Sequence, residues 1–173
     1  MKSLTHNYYI IIIYFCNKIK SICVIILKNF FNTFLFTIMK SINSRAKGQR
    51  AEREIAKMLN NIIAEQCALF NTTPPVMPYV QRNQNQSAVG GCDLINTFDF
   101  AIEIKNCQTL QIKKWWQQTV SQAEKIDKIP ILLFRQNRKG WHFTQNGVDI
   151  LPLDDFLLLF ADTAYDYIYN ELW

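Results

Sequence analysis

Apolar residues recur along the chain with two different periods, and these divide it into elements. Residues 47–66 carry Ala51, Ile55, Met58, Leu59, Ile62 and Ile63 on one side of a helical wheel, with Arg50, Arg53 and Lys57 on the opposite side. That is the pattern of an amphipathic helix packed on a core. Residues 71–77, with Pro74-Pro75, read as a loop, and 79–82 as a short strand. Gly90-Gly91 marks a turn before a strand at 92–95. Residues 96–99 form a hairpin turn into a strand at 100–105, where Phe100, Ile102 and Ile104 alternate with Ala101, Glu103 and Lys105. Residues 113–128 read as a helix opening with Trp115-Trp116, 130–134 as a buried strand, 138–140 as a turn and 141–144 as a final strand. Asp154 or Asp155 is placed to cap a short apolar helix at 156–160. The order α-β-β-β-α-β-β predicts one small mixed α/β domain.

Charge and composition divide the chain differently. Residues 1–38 contain no Ala, Gly, Pro, Asp, Glu, Gln, Arg or Trp, and 25 of the 38 are Ile, Asn, Lys, Phe or Tyr. Those residues have AT-rich codons, so the first reading is upstream sequence translated by an over-long gene, with Met39 the natural start. Two functional readings compete with it. The uncharged run 3–17 is short of the roughly 20 residues that span a bilayer, which leaves a membrane-associated segment. A signal peptide would need a small-residue cleavage site that does not follow. The domain proper is then 39–173. Its stretch 39–144 holds fifteen bases and eight acids, and its tail from 145 holds six acids and no base. A basic middle suggests a polyanionic partner. Five cysteines without tight spacing, and only two histidines, argue against a disulfide framework and a zinc site. A reducing, cytoplasmic compartment is expected.

Three carboxylates stand out. Glu52 lies about 60° from the centre of the apolar face of the first helix, where an unpaired charge is costly. Glu54 falls further round and reads as an ordinary exposed residue. Glu103 shares a strand face with Lys105, and Asp93 follows the glycine pair at a distance that lets a hairpin bring it beside Glu103. Three inward carboxylates with one lysine repel one another unless a cation sits between them. Oxygen ligands with open positions suit Mg2+ or Mn2+. Such an ion polarises a phosphodiester and activates water, and Lys105 would orient that water or offset charge on phosphorus.

The run Lys47-Gly48-Gln49-Arg50-Ala51-Glu52-Arg53-Glu54, then Gly91-Cys92-Asp93-Leu94, then Glu103-Ile104-Lys105, resembles the PD-(D/E)XK nuclease superfamily. Within it the likeness is to archaeal-type Holliday junction resolvases and their phage relatives, over roughly residues 45–144. The resemblance implies a restriction-endonuclease-like core, α-β-β-β-α-β, with a central mixed sheet flanked by helices. It implies Glu52, Asp93 and Glu103 as metal ligands, Lys105 as the catalytic lysine, and cleavage leaving a 5′-phosphate and a 3′-hydroxyl. The proline-containing insert 66–80 and the acidic ending depart from the archaeal pattern.

Around that core, Arg50, Arg82, Gln118 and Gln122 are candidate DNA-binding residues, and Lys113, Lys114, Arg135, Arg138 and Lys139 candidate phosphate contacts. The expected activity is a Mg2+-dependent endonuclease on branched DNA. Symmetric resolution of a junction implies a homodimer, with the apolar strip Leu151, Leu153 and 156–160 either its interface or a cap on the core. The rival readings are a restriction-like or replication-linked nuclease on duplex or flap DNA, and a membrane-tethered protein that binds nucleic acid without cutting it.

Overall fold

A computed structural model describes residues 44–84 and 91–170. The apolar extension 1–38, with the question of its start site or membrane contact, lies outside the described residues. Among those described, no helix is long and apolar enough to cross a membrane.

Helix α1 covers residues 44–69. It buries Ala51, Ile55, Leu59, Ile63 and Cys67. A spacing of four keeps these side chains on one stripe. One polar residue on α1 fixes the incoming chain. Asn60 donates to the carbonyls of Ala56 (2.7 Å) and Val80 (2.8 Å) and accepts from the Val80 amide (3.0 Å). The proline-containing loop is therefore tied to α1 immediately before strand β1, Gln81–Arg82.

Strand β1 pairs antiparallel with β2, Leu94–Ile95, as a two-stranded ribbon of its own. The main sheet has the order β3-β4-β5-β6, with β3 Phe100–Asn106, β4 Ile129–Arg135, β5 His142–Thr144 and β6 Leu151–Pro152. Strands β3 and β4 are parallel, and the later pairs antiparallel. A parallel pair requires a long crossover, and helix α2, Ile112–Glu124, supplies it. The mixed α/β class expected from the sequence is observed.

Strand alternation separates two layers. Phe100, Ile102 and Ile104 join Ile131 and Leu133 in the large core beside α1. On the other face, Ala101 meets Cys92 and Ala123, and Leu132 and Phe134 pack on Trp115. Strand β4 is covered on both faces, which is why it reads as an unbroken apolar run.

The C-terminal segment differs from expectation. Helix α3 is not a short turn at 156–160 but 17 residues, Leu153–Tyr169. Neither Asp154 nor Asp155 caps it. Pro152 occupies the N-cap without a side-chain bond, and both aspartates lie in the first turn, where the helix dipole favours a negative charge. Leu153, Phe156, Phe160, Ala164 and Ile168 are buried, and Asp154, Asp155, Asp162 and Asp166 are exposed. The acidic tail is thus largely the wet face of a core helix. Phe156 meets Phe100 edge-on at 5.6 Å between ring centroids. Leu153, Phe156 and Phe160 of the apolar strip cap the core, while Leu151 and Leu159 are exposed and Leu158 stays 68% exposed.

Phe156→Ala should therefore destabilise the fold by about 3–5 kcal/mol in denaturant titration, because it removes a fully buried ring. Leu158→Ala on the same helix should change stability by less than about 0.5 kcal/mol.

Candidate active site

The site is built on the edge of β3. Asp93 stands just before β2, and its backbone amide donates to the carbonyl of Ile102 at 2.9 Å. Its carboxylate Oδ2 accepts from the backbone amide of Ile104 at 2.5 Å. The acidic side chain thus fills a hydrogen-bonding position that a further strand would otherwise take. The preceding segment is held in turn. Asn83 donates its backbone amide to the carbonyl of Asp93 (2.9 Å) and its side-chain amide to the carbonyl of Cys92 (3.0 Å). Gly91 has φ +139°, a conformation favouring glycine, and a Cβ there would stand 3.3 Å from the Asn83 amide.

Glu103 is 1% exposed. Its Oε1 accepts from the Lys105 ammonium and from Gln118 Nε2, the latter at 2.9 Å. Its Oε2 is buried without a hydrogen-bond partner. Burial pushes the Glu103 carboxyl above its ordinary value. The Lys105 charge and hydrogen bond oppose that, the nearby Glu52 charge reinforces it, and the Gln118 hydrogen bond opposes it. Cys92 reports the same acidic neighbourhood. Burial, then the charges of Glu103 and Asp93, push its thiol up to about 11.

Glu52 reaches the neighbourhood from α1, where its Oε2 accepts from Arg82 Nε at 2.5 Å. The expected convergence of Glu52, Asp93 and Glu103 is therefore only partly realised. Among the described residues, no three acidic, histidine or cysteine side chains form a ready metal cage. Each carboxylate is instead engaged by its own donor: Arg82, the Ile104 amide, and Lys105 with Gln118. The donor set nevertheless fits a hard divalent cation. Asp93 and Glu103 offer oxygens at one strand edge, one of them a buried oxygen with no hydrogen-bond partner. The Cys92 sulfur beside them is a soft donor, poorly matched to such a hard cation.

Of the candidate DNA-binding residues, Gln118 and Arg82 touch these carboxylates, Gln122 buries an unpartnered Oε1, and Arg50 is exposed. Two readings need correction. Glu54 is not an ordinary surface residue. It accepts from both terminal nitrogens of Arg135 (2.9 and 2.8 Å) and from Trp141 Nε1 (2.9 Å). Arg135 in turn lies 4.4 Å from the centroid of the Trp141 ring, so this arginine is committed to structure. A charged partner 81 positions away leaves no local trace in the sequence.

A family model described as "Phage putative PDDEXK endonuclease" matches residues 43–166. The chain belongs to that family. The PD-(D/E)XK assignment rests on this match. No curated protein is significantly similar in sequence. Among solved structures, the chain is similar to Hjc, a Holliday junction resolvase from the archaeal hyperthermophile Archaeoglobus fulgidus, at 19% identity and a TM-score of 0.29. That match spans 43% of this chain and 62% of the resolvase, an overlap too partial to carry weight for fold or substrate. The PD-(D/E)XK family is one of nucleases that generally use divalent metals.

The raised pKa of Glu103 has a consequence for stability. The folded chain holds that proton more tightly than the unfolded chain, so stability is lost as pH rises from the ordinary glutamate pKa of 4.5 towards neutrality. In chelator, Glu103→Gln should melt above wild type at pH 7, and the gap should close as the pH falls below 4.5; calorimetry across pH checks both.

Proposed function

We propose that this chain is a metal-dependent endonuclease that hydrolyses phosphodiester bonds in branched DNA, with Holliday junctions the favoured substrate. The observation that supports it most is the meeting of Asp93 with the Glu103-Ile104-Lys105 strand, locked by the bond from the Ile104 amide to the Asp93 carboxylate. Asp93 and Glu103 are the principal ligands for Mg2+ or Mn2+, and Glu52 is a third ligand once it leaves Arg82. A divalent ion held there supplies polarisation of the phosphodiester and a lowered pKa for bound water.

The remaining work falls to side chains of this chain. Lys105 is 23% exposed and can reach solvent while paired to Glu103. It is placed to orient the attacking water or to offset charge on the phosphoryl oxygens. Gln118 keeps Glu103 Oε1 occupied, which leaves Oε2 as the oxygen that would hold the ion. Hydrolysis delivers hydroxyl to phosphorus and a proton to the departing O3′, leaving a 5′-phosphate and a 3′-hydroxyl. Preference for a four-way junction is supported by the likeness of the opening run 47–54 to the resolvases. Paired, symmetric incision of such a substrate calls for a two-fold dimer.

The test is cleavage of an immobile four-way junction beside linear duplex and a flap, with Mg2+ and with EDTA. Asp93→Asn and Lys105→Ala should each lower the cleavage rate by about 100-fold or more. Asp93→Asn should retain DNA binding. Preferential cutting of duplex or flap would transfer the activity to a restriction-like or replication-linked role. Undiminished cutting by Asp93→Asn would remove the assigned centre.

A further inference from the structure

Away from the acidic centre, the chain ends of β3 and β4 open into a cleft of about 470 Å³ lined by Lys47, Asn106, Arg135, Asn137, Arg138 and Lys139. Four of the six are cationic and none is acidic. Arg135 is already neutralised by Glu54, as described above. The other three cations are not. Lys47 donates to the neutral Asn137 side chain, and neither Arg138 nor Lys139 forms an ion pair with a described residue. Like charges gathered around one concavity repel one another, which a bound anion would relieve.

The loop that carries them is held in place. The Lys139 amide donates to the carbonyl of Gln136 at 3.1 Å, and the Gln136 side chain donates to the carbonyl of Gln108 at 3.0 Å. Within this loop Arg138 has φ +63°, a left-handed backbone that disfavours any residue with a Cβ. Glycine would serve the turn better, and Gly140 stands only two positions away. An arginine kept where glycine is easier points to a use for its side chain.

We infer that this cleft is a second phosphate site, which takes a backbone phosphodiester of the DNA flanking the cut. Asn106 directly follows Lys105 along β3, so the cleft and the acidic centre lie at the same end of the strand. The inference rests on the nuclease reading for its ligand, and its contacts grip the backbone without reading bases. Arg135 acts as wall, with Lys47, Arg138 and Lys139 as donors.

The full chain is titrated against a four-way junction and a linear duplex in EDTA, by fluorescence anisotropy over a range of salt. Arg138→Ala combined with Lys139→Ala should weaken binding about ten-fold or more near 50 mM salt, and lower the log–log salt slope by about two. Arg138→Gly separates binding from folding. It should weaken binding and reduce the slope by about one, while its melting temperature equals or exceeds that of wild type, because glycine accepts the left-handed backbone. At DNA concentrations below saturation in Mg2+, cutting by both variants should fall in step with the lost affinity. Unchanged affinity and slope in variants of a wild type that binds and cuts DNA would overturn the phosphate site alone. Failure of the wild type to bind any of these DNAs would overturn the nuclease reading and this site with it.

Discussion

Everything at the acidic centre depends on how one strand edge is closed. An edge amide at Ile104 demands an acceptor, and the carboxylate of Asp93 is that acceptor. The same bond holds Asp93 beside the peptide that joins Glu103 to Lys105. Burying Glu103 in that place is unfavourable by itself. Lys105 and Gln118 offset part of the cost at one oxygen and leave the other without a protein donor. A site that strains against its own negative charge is suited to holding a cation.

The supporting architecture keeps this edge free of a further full-length strand. The β1–β2 ribbon forms its own small sheet and reaches β3 through the Asp93 amide. Helix α2 covers the Glu103 face and contributes Gln118. The opposite face rests on the large core beneath α1 and α3. Asn60 sets where the ribbon begins, and so which residue, Arg82, meets Glu52. The placement of Arg82 therefore leans on a polar clamp that touches no part of the acidic centre.

Much of this was legible in the residues because it follows local periods. The four-residue spacing of Ala51, Ile55, Leu59 and Ile63 marks α1, and the alternation of Ile102 and Ile104 with Glu103 and Lys105 marks both faces of β3. The length of α3 was not legible. Beyond Phe160 its core positions are Ala164 and Ile168, set among tyrosines and aspartates that dilute the apolar signal. Glu54 was misread because its value lies wholly in Arg135 and Trp141, which only tertiary packing brings near. The partial convergence of the three carboxylates was equally beyond the sequence, because Arg82 competes for Glu52 from across the ribbon.

Cys92 carries a chemical consequence of its own. Burial, then the charges of Glu103 and Asp93, push its thiol up to about 11, so it stays protonated at neutral pH. This sulfur beside the acidic centre is therefore a poor nucleophile, sheltered from alkylating agents and peroxide first by its burial and only then by the carboxylates it adjoins.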